Sequence, residues 1–277
     1  AARVFNCLCN RQLINEVFMS SEIKPGPGER LCSVGEHLNI IQKTRGLQWG
    51  TDSYLLAAYI NKSGGRACEL GCGTGVISLL CASYGKFPEI RALEIQPDYA
   101  ELARKNAKLN RLDGVFFPEC GDIRDARPES LGGRFDVVFS NPPYMRPDTG
   151  HRSEAPEKLI ARHEIFGGIG DFCAAAARLL NFGGLFYCVF RPNRLPDLFE
   201  AMRASGLEPK RMTEIYPDVM SRPSAVLVTS KLGAAPSLEI TRPLVLYPAP
   251  SGNGDARRMT DRAARIYETC SFAGADE

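Results

Sequence analysis

Between about residue 66 and residue 190, short apolar runs alternate with stretches in which apolar positions recur every three to four residues. The runs are Arg66 to Leu70, Ile90 to Ile95, Val115 to Glu119, Phe135 to Ser140 and Leu185 to Phe190. Their length and composition are those of buried strands. The intervening stretches, Gly75 to Tyr84, Pro97 to Asn110 and Asp171 to Leu180, read as helices; in the second, Tyr99, Leu102, Ala103 and Ala107 share one face. A strand–helix beat of roughly 25 residues predicts right-handed βαβ units and a parallel sheet. Beyond Phe190 the pattern predicts a helix over Leu195 to Ala204 and strands near Met212 to Tyr216, Ala225 to Thr229 and Leu238 to Ile240. Two late strands with no crossover helix between them form an antiparallel edge hairpin. The expected fold is therefore α/β, a doubly wound, mostly parallel seven-stranded sheet with an antiparallel edge hairpin.

Four segments follow from the same pattern. Residues 1–18 have no clean period and read as an extension, and residues 19–61 as an N-terminal segment packing on the cofactor site. Residues 62–247 hold the α/β domain, and residues 248–277 a loop with a short helix at Arg257 to Tyr267. No apolar run reaches 18 residues, so no bilayer-spanning helix is expected. Asn6, Asn10, Arg11 and Asn15 interrupt what would be the apolar core of a signal peptide, which makes a cytoplasmic location the default.

Composition narrows the picture further. The ten cysteines include no Cys-x-x-Cys pair, and with three histidines there is no metal-ligand spacing, so the thiols read as reduced core residues. A net charge of +2 argues against a chain that coats nucleic acid nonspecifically, yet leaves room for a local basic patch.

Three acids accompany the strand ends. Glu69-Leu70-Gly71-Cys72-Gly73-Thr74-Gly75 ends one strand and opens a helix. The glycines at 71, 73 and 75 let the backbone turn sharply and approach a ligand, although a plain tight βα turn would look the same. The G-x-G-x-G spacing differs from that of dinucleotide folds. A carboxylate at Glu69 would repel a pyrophosphate but welcome a cationic amino-acid tail, which favours an S-adenosylmethionine-type ligand over NAD. Glu94, at the end of the next strand, is placed to accept from both ribose hydroxyls; the alternative is a solvated strand-end carboxylate. Asp122 follows the third strand, where it can accept from an adenine amino group or simply cap a helix.

The fourth strand runs into Asn141-Pro142-Pro143-Tyr144. Two prolines stiffen the loop. An exocyclic amine or amide nitrogen is a poor nucleophile because its lone pair is delocalised. With Asn141 and the Pro142 carbonyl each accepting one N–H, and Tyr144 stacking on the planar group, that lone pair is aimed at a methyl donor.

These motifs resemble those of class I S-adenosylmethionine-dependent methyltransferases acting on planar amino groups, over about residues 62–232. A second stretch, Ile40-Ile41-Gln42 and Gly46-Leu47-Gln48-Trp49-Gly50-Thr51-Asp52-Ser53-Tyr54-Leu55-Leu56-Ala57, is similar to bacterial tRNA adenine-N6 methyltransferases that modify the anticodon-loop adenine of a valine tRNA. Gly28-Glu29-Arg30-Leu31 and Ala161-Arg162-His163-Glu164 resemble that family too, while Trp49 replaces its common Phe and keeps an aromatic wall. The resemblance implies S-adenosyl-L-methionine as cofactor and tRNA as partner, with no metal and no membrane. It further implies Gly50, Thr51 and Asp52 at the methionine end of the cofactor, and Arg162 and His163 at the substrate entrance.

Charge adds little. Arg104, Lys108 and Arg111 share a helix side and Arg257, Arg258, Arg262 and Arg265 lie in the tail; either set can meet phosphates, but the first also suits a helix C-terminus. The expected activity is methyl transfer to N6 of an adenine in the anticodon loop. The alternatives are a release-factor glutamine methyltransferase, a ribosomal RNA guanine-N2 methyltransferase and a noncatalytic cofactor- or RNA-binding module.

Overall fold

The computed structural model describes residues 23–35, 38–46, 48–143, 167–248 and 258–274. The chain enters through a hairpin of β1 (Glu29–Val34) and β2 (Leu38–Lys43), which form their own two-stranded antiparallel sheet. Helix α1 (Thr51–Tyr59) then leads into the alternating part: β3 (Arg66–Leu70), α2 (Val76–Ser83), β4 (Glu89–Glu94), α3 (Pro97–Leu109), β5 (Phe116–Cys120) and β6 (Phe135–Ser140). After α4 (Ile169–Leu179) come β7 (Leu180–Phe190), α5 (Leu195–Ala204), β8 (Leu207–Asp218), β9 (Ala225–Leu232), β10 (Glu239–Ile240), β11 (Leu244–Tyr247) and α6 (Asp261–Thr269).

Among the described residues the main sheet has nine strands, ordered β10-β8-β9-β7-β6-β3-β4-β5, with β11 also pairing β8. Strands β3 to β7 are mutually parallel, and β9 is inserted antiparallel between β7 and β8. The seven expected strands and the antiparallel hairpin are therefore present. The expected total of seven needs correction, because β10 and β11 extend the sheet parallel to β8. Both are short, at two and four residues, and β10 is exposed along its length. Strand β10 falls at the strand expected near Leu238 to Ile240, whereas the four-residue β11 is too short to show an apolar pattern of its own.

Two further differences have physical causes. Residues Ser53 to Tyr59 of α1 are all buried, so this helix has no polar face and no amphipathic period. Strand β7 begins at Leu180, five residues before the expected Leu185, because its opening passes through the polar and glycine positions Asn181, Gly183 and Gly184.

Helices cover both faces of the sheet and divide the core. On one side α1, α2 and the C-terminal α6 enclose Tyr54, Leu56, Tyr59, Leu79, Phe139 and Tyr187; on the other α4 and α5 enclose Phe135, Phe172, Leu179, Phe186 and Leu198. The described cysteines are all free, and all but Cys120 are buried. Burial pushes the thiols of Cys68, Cys81, Cys173 and Cys188 up, which keeps them neutral. No helix among the described residues is long and apolar enough to cross a membrane.

Candidate functional site

Strand order fixes where a ligand has room. From β3 the chain winds outward through β4 and β5, then returns to place β6 on the other side of β3. The crevice at the carboxyl ends of β3 and β6 is thus the topological switch point of the sheet, where open α/β folds bind ligands. The glycine-rich loop leaves one lip of that crevice and Asn141-Pro142-Pro143 leaves the other. Ser140 Oγ donates to Leu70 O at 2.7 Å and ties the two lips together.

The loop itself is held by β4. Gly71 N–H and Cys72 N–H both donate to Leu93 O, at 2.8 and 3.1 Å. Gly71, Gly73 and Gly75 have φ of +70°, +54° and +84°, a region that only glycine enters freely. Their surroundings differ. A Cβ on Gly75 would lie 2.7 Å from the Phe116 ring, whereas one on Gly73 or Gly50 would meet nothing within 4 Å. Gly75 therefore serves packing, while Gly73 and Gly50 border open space.

Glu94 stands behind the loop, 5% exposed. One carboxylate oxygen accepts Gly73 N–H at 2.8 Å and the other accepts Gln96 N–H at 3.0 Å. This fixes the carboxylate plane while leaving lone pairs on both oxygens. Glu69 has a different environment. It is 1% exposed beneath the loop, and Ser78 donates to it through both its N–H and its hydroxyl. Burial pushes its carboxyl up to about 8, with Glu94 adding to the rise. Asp122 forms an ion pair with Arg124, which also donates its N–H to Asp122 Oδ1 at 2.9 Å. The Arg124 guanidinium holds the Asp122 carboxyl below the usual carboxylate range.

Across the crevice, Asn141 Nδ2 donates to Ser53 Oγ at 3.4 Å, which brings the Asn-Pro-Pro turn against the first turn of α1. That turn carries Gly50 as N-cap, followed by Thr51 and Asp52. Asp52 Oδ2 lies 3.9 Å from Arg191 Nη2 at the end of β7. Beside Gly50, Trp49 Nε1 is buried without a hydrogen-bond partner among the described residues. Pro142 is buried and Pro143 exposed. Tyr144, Arg162 and His163 lie outside the described residues.

The structure thus gathers Gly50, Thr51, Asp52, Gly71, Gly73, Gly75, Glu94 and Asn141 around one crevice, with Glu69 beneath it and Asp122 at its β5 side. The sequence reading missed four supporting residues: Ser53, Ser140, Gln96 and Asn106. Asn106 is fully buried; it accepts Ile41 N–H at 2.8 Å and donates to Ile41 O and to Thr74 O at 2.9 and 3.0 Å. It therefore ties the N-terminal hairpin to the glycine loop. The one signal for it is an amide sitting on the apolar face of α3, beside Ala103 and Ala107. Of the tail and helix cations, Arg104 pairs with Glu101 and Arg262 donates to Arg242 O and Pro243 O, so both serve the fold. Among the described residues no cluster of His, Cys, Asp and Glu is arranged to hold a metal.

A doubly wound sheet with this strand order, a glycine-rich first loop and a braced acid at the end of the second parallel strand defines an S-adenosylmethionine-dependent methyltransferase of class I. The chain belongs to the family described as a methyltransferase domain, which matches residues 61–216. S-adenosylmethionine is its cofactor. The open space above Gly50 and Gly73, the fixed acceptors of Glu94 and the absence of an exposed cation on the loop all suit that group. Its relatives include the tRNA1(Val) (adenine(37)-N6)-methyltransferases of Porphyromonas gingivalis strain W83, 31% identical over 65% of this chain and 72% of the relative, and of Phocaeicola vulgatus, 32% identical over 66% and 76%. A release factor glutamine methyltransferase from Deinococcus radiodurans is 28% identical over 57% of this chain and 55% of its own length. In fold the chain is similar to a "predicted O-methyltransferase" from Agrobacterium tumefaciens, with a TM-score of 0.62 at 21% identity over 79% of this chain and 96% of that one.

Proposed function

We propose that the chain transfers the methyl group of S-adenosylmethionine to the exocyclic N6 of an adenine in the anticodon loop of tRNA. The observation that carries the reading is the junction of the Asn141-Pro142-Pro143 turn with the first turn of α1, directly across the switch-point crevice from the glycine loop. The similarity to enzymes named for that reaction supports it.

The cofactor supplies an electrophilic methyl on a sulfonium. Glu94 holds the ribose hydroxyls, Gly73 lets the backbone approach while Gly71 and Gly75 shape the loop against Phe172 and Phe116, and Gly50, Thr51 and Asp52 receive the methionine end. Asp122 borders the adenine, and Glu69 supports the loop from below through Ser78. On the substrate side, Asn141 Oδ1 and the Pro142 carbonyl accept the two N–H bonds of the target amine. Those two acceptors turn the nitrogen lone pair out of conjugation with the ring and toward the methyl group. Because Asn141 Nδ2 is turned to Ser53, the acceptor orientation of the amide is set before substrate arrives. Tyr144 stacks on the base, which is flipped from a single-stranded loop where unstacking is inexpensive, and Arg162 and His163 line the entrance. The product ammonium is strongly acidic and passes its proton to water, so no tuned general base is needed.

The amide of a glutamine side chain poses the same problem, and the Deinococcus radiodurans relative favours it as the second reading. Incubation with labelled S-adenosylmethionine and either unmodified tRNA or release factor separates the two. The expected result is N6-methyladenosine in digested tRNA by mass spectrometry; label confined to protein would refute the adenine assignment. Asn141→Ala is expected to lower kcat at least about a hundredfold while leaving cofactor affinity within about tenfold, because it acts on the nucleophile.

A further inference from the structure

Strand β8 is parallel to β6 and β7, so the turn that joins it to β9 rises from the same edge of the sheet as Asn141. Ile215 pairs with Ala225 at the start of β9, and Asp218 lies three residues beyond Ile215. The turn therefore stands about 10 Å above the start of β9. It is laterally three strands from β6, about 14 Å at ordinary strand spacing.

This turn is stiff. Asp218 is 5% exposed and accepts Met220 N–H on its side chain at 3.0 Å and Ser221 N–H on its carbonyl at 3.2 Å. Ser224 N–H returns to Ile215 O at 2.8 Å, and Arg191 Nη1 donates to Ser224 O at 2.8 Å. Through Arg191 the turn is coupled to Asp52 on the first turn of α1, and so to the candidate site. Yet the side chains it presents are not those of an ordinary surface turn. Val219 and Met220 are 59% and 79% exposed, and the exposed Arg222 makes no hydrogen bond or ion pair among the described residues.

We infer that the β8–β9 turn docks the nucleotide next to the methylated adenine, with Met220 against the base and Arg222 on its phosphate. The inference rests on the tRNA-adenine reading and adds to it a recognition wall separate from the amine clamp. Charge complementarity, rigid placement at the same edge of the sheet as the crevice and an adjacent apolar surface make the turn suited to a base that has left its stack. An exposed thioether is polarizable and shapes itself to any base face, and one arginine supplies a charge-assisted bond to phosphate.

The test is steady-state kinetics of the full chain on unmodified tRNA over a salt series, with cofactor affinity measured in parallel. Arg222→Glu is expected to raise KM for tRNA at least about tenfold and to make the log–log salt dependence shallower by about 0.7, the value of one lost phosphate contact on a single strand. Met220→Ser is expected to raise KM about threefold to tenfold, and Arg222→Lys to restore most of the loss. Cofactor affinity is expected to stay within about twofold in all three variants, since both side chains are exposed on the turn and neither belongs to the residues gathered around the glycine loop. If the unaltered chain methylates tRNA and Arg222→Glu keeps its KM and salt slope, the docking inference is wrong and the adenine reading stands. Parallel loss of cofactor affinity also overturns it, by showing that the turn merely supports the fold. If the unaltered chain transfers no methyl group to tRNA, the adenine reading fails first and the inference falls with it.

Discussion

Two carboxylates flank the glycine loop, and their surroundings set opposite roles. Glu94 is braced by backbone N–H groups on both oxygens and faces the crevice end of β4. Glu69 is sealed under the loop, where desolvation outweighs the two donors of Ser78 and pushes its carboxyl up to about 8. The sign of the resulting pH dependence follows from proton counting. Below an ordinary value of 4.5 the carboxyl is protonated in both folded and unfolded chains; between 4.5 and about 8 the unfolded chain releases the proton and the folded one keeps it. Folding is therefore progressively penalised as pH rises through that window, by an amount on the order of 5 kcal/mol when complete. Glu69→Gln removes the titration and keeps the shape, so its stability advantage over the parent is expected to grow between pH 5 and pH 8.5 in urea unfolding. An advantage that grew toward acid pH instead would mean that Glu69 is ionised in the fold. Both acids were visible in the sequence, Glu69 as the residue before the glycine loop and Glu94 as the acid at the end of the next strand. Their division of labour was not, since it depends on Ser78, nine residues beyond Glu69, turning back onto it.

At the scale of elements, α1 matters most, because its first turn faces Asn141 and its body is held from behind by the C-terminal α6. Tyr54 stacks on Tyr267 with ring centroids 4.5 Å apart, and its hydroxyl donates to Tyr267 O. Tyr59 meets Phe272 edge-on at 5.2 Å. Helix α6 is itself anchored at its start, where Thr260 accepts Ala263 N–H as N-cap and donates its hydroxyl to Val245 O at 2.7 Å. Ile266, fully buried, is its central anchor. Ile266→Ala is expected to destabilise the chain by about 2–4 kcal/mol in urea unfolding and to weaken cofactor binding measurably, since α1 would lose its support. Unchanged cofactor affinity at reduced stability would separate α6 from the site. A helix near Arg257 to Tyr267 was legible from its period, with its true start at Asp261. Its partner was not, because α1 is buried on every side and leaves no periodic trace.

For the whole molecule, the winding of the sheet brings together residues far apart in the chain. Gly50, Gly73, Glu94 and Asn141 meet at one crevice because β6 folds back beside β3. On the proposed function, a net charge of +2 means that tRNA would be held by a local set of contacts and not by the field of the whole protein. The salt dependence of KM for tRNA is accordingly expected to be shallow, with a log–log slope of about −1 to −3. A slope steeper than about −6 would require a phosphate-binding surface well beyond the crevice and the β8–β9 turn.

The sequence by itself determined the α/β alternation, the glycine loop, the acid at the end of β4 and the proline-stiffened turn after β6. Each of these is written in residues adjacent along the chain, where period, turn chemistry and spacing act locally. Only the tertiary structure decided that Ser53 would brace Asn141, that Ser140 would bind the two lips of the crevice, and that Asn106 would join the N-terminal hairpin to the glycine loop. These are hydrogen bonds between residues separated by 88, 70 and up to 65 positions. Their partners are chosen by strand order and helix packing, which no local pattern encodes.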